Sequence, residues 1–549
     1  MPLSRPVRLI TAVVALATLT LAGCASGGTG DTSAAAAKPV AGGSLTYAVN
    51  TEPTCFDAHI SPQDITGEID RNVVDSLVSE DSSGIFHPWL ATSWTVAPNL
   101  ESYTFILRKG VTFTDGTPFN AAAVKANFDS IVAPATQSQY ASSLLGPYTG
   151  TTVINDYEVK VSFSSPFAPF LQAASTAYLG FYSPKALAAH SDNLCAGGAS
   201  NVGTGPFVFA GYTKGQSAVF TKNPNYDWGP ANATHTGPAY LSQLTFRFLP
   251  DSATRVGSLS SGQAQVIRSV PAAQVKSLQE TSGVTVQELE QPGGAYNLWL
   301  NTTVAPLNDQ KVREALQRGI NISADVNAVY FGVYERAWSP LTPSTQGYDA
   351  SLVNSWPYDP TLSNQLLDED GWTGRNAQGY RTKDGKVLSI EWPLLPAEYI
   401  TDQRDVLGQA IQADLKKIGI EITRPQYDIG TYLQRAYAGK EGILDSSWSR
   451  DEPDVLWLFY NSASISAGGQ NATFYKDPTL DALTDAGRAT LTKSTRDQDY
   501  DQVQQDVINL ATTIPIYNPV TIVGSRNSVH GLAYDPNDWA LFYGVWLAQ

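Results

Sequence analysis

The chain has 549 residues, too many for one ordinary domain, so two or three domains are expected. Apolar residues make up 42% of it, which excludes a disordered chain. A formal net charge of −16 with no basic run excludes a nucleic-acid binder, which needs clustered Lys and Arg.

The first element in chain order is a leader. Arg5 and Arg8 supply a positive start, and residues 9–22 form an uncharged apolar run. That run suits a signal segment and is short for a membrane span of roughly 20 residues. It ends in "LAGC", residues 21–24, which resembles the bacterial lipobox, where the signal is cut before a Cys that is then lipidated. The expectation is removal of residues 1–23, lipidation at Cys24, and a flexible tether over 24–43, rich in Gly, Ser, Thr and Ala. No later run is long and apolar enough to span a bilayer, so the protein is expected outside the cytoplasm, anchored by lipid to the cell membrane. Cys55 and Cys195 remain. They form either a disulfide, which persists outside the cytoplasm, or two buried thiols.

The body mixes strands and helices. Tyr103, Phe105 and Leu107 alternate with Thr104, Ile106 and Arg108, the pattern of a half-buried strand. Asn120 is placed to cap a helix with Val124, Phe128 and Ile131 on one face. Strands follow at Tyr157–Phe163 (Tyr157, Val159, Val161 and Phe163 inward) and at 244–248 (Leu244, Phe246 and Phe248 inward). The second half carries more helix. Val312, Ala315, Leu316 and Gly319 are helically spaced; Asp359 caps and Pro360 opens a helix that stops at Gly371. Val406, Ala410, Ile411, Leu415 and Ile418 form the inward face of another, and Tyr500, Val503, Val507 and Leu510 of a last one. No internal repeat is present. Strand–helix alternation without one period predicts α/β or α+β domains.

Four ordered segments carry a resemblance. Residues 90–131 hold Trp94, Leu107-Arg108, Gly110-Val111, Phe113 and the turn Asp115–Phe119. Residues 202–229 hold "GTGP" at 203–206 with Asn223, Pro224 and Tyr226. "VREALQRGINISADVNAVYFG" with "AWSPLTP", and "YDPTLSNQLLDEDGW", complete the set. Together these resemble the peptide/nickel class of ABC-transporter solute-binding proteins, family 5, over nearly the whole chain after the tether. The resemblance implies a mixed α/β, two-lobed periplasmic-binding-protein-like fold with an additional inserted domain (class C, type II). The implied first lobe is 44–79 with 196–290 and 513–549. The inserted domain is 80–195 and the second lobe 291–512. It also implies a monomer that passes its solute to ABC permease subunits served by cytoplasmic ATPases.

Catalytic signatures are missing: no G-x-S-x-G, no H-E-x-x-H and no Walker A. The GTGP turn is no phosphate loop, because Pro206 removes an N–H. His59, His87, His190, His235 and His530 are scattered singly, so no metal site and no cofactor is expected. One dense acid segment remains, "SSWSRDEPDVLW" at 446–457. By the resemblance, Trp448 matches a cleft Trp, and Asp451 matches an Asp that pairs with a ligand's ammonium group. The segment is shorter than the usual peptide-binder pattern, so Asp454 is the alternative. Tyr296, Trp299 and Phe56 are further candidate ligand contacts. The expected function is capture of a solute, foremost an oligopeptide or dipeptide. The alternatives are a nickel chelate, an oligosaccharide or another small solute on the same fold, a surface hydrolase using Asp451 and Asp454, and a sensor or adhesin.

Overall fold

A computed structural model describes residues 38–189, 194–396, 402–465 and 469–548. The leader, Cys24, the tether as far as residue 37, and His190 lie outside the described residues. From Pro39 onward the chain forms one unit.

The first lobe is built on a seven-stranded sheet in the order 284–290, 520–526, 266–268, 44–49, 243–248, 217–222, 207–213. Its centre is parallel, with Ser44–Val49 flanked by Gln243–Phe248 and Val266–Arg268. The outer pairings are antiparallel. Parallel strands are covered on both faces and therefore apolar throughout. Leu45, Tyr47, Ala48 and Val49 are accordingly all buried.

The expected inserted domain carries a four-stranded antiparallel sheet in the order 91–96, 102–107, 158–163, 148–155. Tyr103, Phe105 and Leu107 point inward while Ile106 is exposed, as period-two alternation requires. The helix Ala121–Val132 packs on this sheet through Val124, Phe128 and Ile131, and the Asn120 side chain accepts from the Ala123 N–H. Its core is continuous with that of the first lobe. A disulfide joins Cys55, after the first strand, to Cys195, at the end of the insert.

The second lobe holds a three-stranded sheet, 443–449, 293–300, 513–517, flanked by helices including Gln310–Gly319, Pro360–Glu369, Arg404–Lys417 and Lys493–Asn509. Because Thr513–Tyr517 pairs with Gly293–Leu300, the expected boundary at 512/513 falls one strand too early; the chain returns to the first lobe near 518. Val406 corrects a second expectation. It is 44% exposed, because Leu407, one position on, takes the buried place in line with Ile411, Leu415 and Ile418, which are buried as expected.

Two adjacent segments connect the sheets. The strand ending at Glu290 passes through Gln291-Pro292 into the 293–300 strand, and Tyr517 passes through Asn518-Pro519 into the 520–526 strand. The Gln291 N–H donates to the Pro519 carbonyl at 2.9 Å, tying the crossings together. Gly293 follows with φ +106°, where a Cβ would sit 2.2 Å from the Trp448 carbonyl oxygen. Only glycine allows this conformation and this approach.

Candidate functional site: the space between the lobes

One end of the interlobe space carries two arginines, Arg268 and Arg404, beside Asp64 and Asp402. A cavity of about 260 Å³ is lined by residues of both lobes and of the crossings. From the first lobe, Asn50 follows a central parallel strand and Arg268 ends another. In open α/β sheets ligands bind beyond the carboxyl ends of the strands. Arg268 pairs with Glu68, whose Oε1 also accepts from Tyr47 Oη at 3.0 Å and from the Ala540 N–H at 3.1 Å. Beside it, burial pushes the Asp64 carboxyl up to about 6 against the pull of Arg268. From the second lobe comes Arg404. Its Nε donates to Tyr517 Oη at 2.9 Å, its Nη2 to Ser447 Oγ at 2.8 Å, and its guanidinium lies 4.4 Å from the Tyr296 ring centre. Tyr296 is therefore a support. It stacks on Tyr517 at 4.8 Å, donates to Asp445 Oδ2 at 2.7 Å, and holds the arginine that lines the cavity.

The other end is rich in acid. The 443–449 strand stops at Ser449, residues 450–454 turn, and the helix Val455–Tyr460 begins. The Trp448 ring meets Tyr140 of the insert at 5.3 Å. Tyr140 meets Tyr178 at 4.8 Å, and Tyr178 meets Trp539 of the C-terminal segment at 5.5 Å. This aromatic file runs from one lobe to the other. Asp451 is 6% exposed. Its N–H donates to Asn537 Oδ1 at 3.1 Å, while its carboxylate Oδ1 has no hydrogen-bond partner among the described residues. Burial, reinforced by Glu452 and opposed by the backbone and side-chain N–H groups of Gln346, pushes the carboxyl up to about 7. Across the space is Glu80. Burial and then the neighbouring Asp451 and Glu452 hold its carboxyl well above the usual range, and its Oε2 too has no partner among the described residues. Asp535 and Asp538 are pushed up to about 6 and about 8, both chiefly by burial.

Asp454 is used differently. It is fully buried, with Arg488 Nε at 2.8 Å and Arg450 Nη2 at 3.7 Å; Tyr500 Oη donates to its Oδ1 at 3.4 Å. Burial pushes its carboxyl up while the two arginines pull it down. Glu452 pairs with Arg496. Both of these acids are neutralised inside the second lobe.

Against this geometry the comparisons with known proteins are decisive. The model of the bacterial extracellular solute-binding proteins, family 5 (middle region), matches residues 86–470. The chain belongs to this family. Heme-binding protein A of Haemophilus influenzae is 28% identical to it, over 97% of this chain and 98% of its own length. A dipeptide-binding protein of Pseudomonas aeruginosa is 27% identical over 83% and 86%. The solved structure of the periplasmic binding protein DppA from Helicobacter pylori in complex with the peptide STSA shares the fold, with a TM-score of 0.79 at 24% identity over 93% and 99% of the two chains.

The fold of this family 5 protein is thus the two-lobed periplasmic-binding-protein architecture, and its role is solute binding, not catalysis. No helix of the described residues is long and apolar enough to cross a membrane. Of the side chains expected at the site, Trp448 and Asp451 stand between the lobes and Tyr296 backs the cavity. Phe56 and Trp299 do not. Phe56 packs in the first-lobe core on Phe209 and Tyr212. Trp299 packs on Phe459 and donates to Ser446 Oγ at 2.8 Å, against a separate second-lobe cavity of about 220 Å³.

Arg268, Arg404, Glu80 and Asp535 escaped sequence reasoning. Arg268 was signalled only by its place at the end of a strand. Arg404 had a clearer sign: a cation in the first turn of a helix opposes the helix dipole, so another demand holds it there.

Proposed function

We propose that this family 5 protein is the solute-binding lipoprotein of an ABC importer. It is anchored through Cys24, closes over an oligopeptide or dipeptide, and delivers it to membrane permease subunits. The observation that carries the reading is the Asp451 carboxylate, buried between the lobes with one oxygen unpartnered. A buried carboxylate without a cation is costly, and a ligand ammonium group both neutralises it and makes a charge-assisted hydrogen bond. A neutral oligosaccharide leaves that cost in place and an anionic chelate raises it. At the far end, Arg404 offers its guanidinium to a ligand carboxylate. A free peptide carries both groups.

A ligand shifts a hinged protein toward closure only by preferring the closed form. An ammonium group that meets Asp451 of the second lobe beside Glu80, where the insert leaves the first lobe, has that preference. The test is calorimetry with a dipeptide and its N-acetylated twin. Binding of the free dipeptide at least tenfold tighter supports the reading. Equal binding of the two rules it out.

A further inference from the structure

A second cavity, of about 350 Å³, lies where the first lobe meets the insert, beside the acid end. Its lining includes Glu80 and Asp535 together with the aromatic side chains of Trp89, Tyr226 and Tyr543. It adjoins the ammonium site. Asn537 lines it and accepts the Asp451 N–H, and Gln346 of the second lobe donates to Glu80 Oε1 at 3.5 Å. Arg71, the one Lys or Arg of its lining among the described residues, has its hydrogen bonds elsewhere: Nη1 donates to Ser76 Oγ at 2.9 Å, Nη2 to the Ser175 carbonyl at 2.7 Å, and the guanidinium stacks on Trp89 at 5.0 Å. Two buried polar groups of the lining have no partner among the described residues, Glu80 Oε2 and the indole N–H of Trp89, which is 7% exposed.

We propose that this cavity receives a cationic side chain, so that the protein selects peptides whose first residue is basic, with the α-ammonium on Asp451 and the side-chain charge on Glu80. The inference rests on the peptide reading above and adds to it the identity of the first residue. Charge accounting drives it. Glu68, Glu452 and Asp454 each have their own arginine, and Arg71 faces Asp535. Asp451 and Glu80 have none, and in the free chain a retained proton takes that place; a ligand with two positive charges can replace the proton on each and pair with both, where a ligand with one charge pairs with only one. The aromatic walls suit this cargo, since they accept both the methylenes of a long basic side chain and its charge.

The experiment compares Lys-Ala-Ala with norleucyl-Ala-Ala by calorimetry, on the full chain and on Glu80→Gln. The two peptides share length and backbone and differ in the terminal charge of the first side chain. The expected result is about tenfold or tighter binding of the lysine peptide, with the ratio collapsing toward one in Glu80→Gln. Equal affinities on the unaltered chain overturn the inference and leave the peptide reading standing. Binding of neither peptide overturns both. A ratio that persists in a Glu80→Gln protein with an unchanged melting curve overturns the assignment to Glu80.

Discussion

The acid segment contains two sets of side chains, one to three residues apart, that are built in opposite ways. On its inner side, Asp454 and Glu452 face Arg488 and Arg496, delivered by the helices that follow. On its outer side, Asp451 faces Glu80, and neither has a cation of its own among the described residues. Residue type, turn and burial are nearly the same; neutralisation is what differs. A buried carboxylate with its own arginine is a structural part. One without such a partner represents an unmet electrostatic demand, and an incoming cation meets it. Charge density in a sequence therefore reports little by itself. The distribution of counter-charges separates scaffold from site.

Breaking the inner region has the largest expected effect. Asp454→Ala leaves Arg488 and Arg450 buried without their partner and should cost about 3–5 kcal/mol of stability, read as a drop in the urea midpoint. A loss below about 1 kcal/mol would show that the pair is not structural. Breaking the outer region should do the reverse. Asp451→Asn should leave stability unchanged or raise it, while affinity for a free dipeptide falls by about 1.5–3 kcal/mol, roughly tenfold to a hundredfold. If its melting curve drops as far as that of Asp454→Ala, the contrast is false. Arg404→Gln sharpens the comparison from the other end of the space. It should weaken a peptide with a free carboxylate about tenfold and scarcely affect the C-terminally amidated form, measured by calorimetry. The smallest effect is on pH dependence. Asp64, Asp535, Asp451 and Asp538 titrate near 6, 6, 7 and 8 in the folded chain, against about 4 when unfolded. Between pH 5 and 8 the unfolded chain has therefore released protons that the folded chain still holds, so stability falls as pH rises. The unliganded protein should melt a few degrees lower at pH 8 than at pH 5, and Asp451→Asn should flatten that slope. A melting temperature that rises over this range would refute the account.

Much of the scaffold was legible. The alternation of Tyr103, Phe105 and Leu107 reports one buried sheet face, and Asp359 does accept from the Thr361 and Leu362 N–H groups at a helix start. Motif order supplied the two lobes. Aromatic candidates misled because periodicity does not distinguish a wall from a core: the 293–300 strand is buried on both faces, so Trp299 in it packs inward. The run 513–517 is expected in the first lobe and pairs in the second, because an apolar strand carries no sign of which sheet it joins. The site itself was the least legible part. Glu80, Arg268 and Asp535 come from distant points of the first lobe and its insert, and only the crossings at 291–292 and 518–519 set them opposite Arg404 and Asp451 of the second lobe.

The C-terminal segment has a consequence for how the protein is made. Asp535, Asn537 and Trp539 follow the strands of both large sheets in chain order, yet Asn537 and Trp539 pack against the acid end of the interlobe space and the file of rings beside it. A chain emerging from its N-terminus has both sheets' earlier strands in hand long before these residues arrive. The acid end of the interlobe space is thus assembled after the sheets that frame it, and a chain shortened before Asn537 has an acid cluster without the contact that holds the Asp451 N–H.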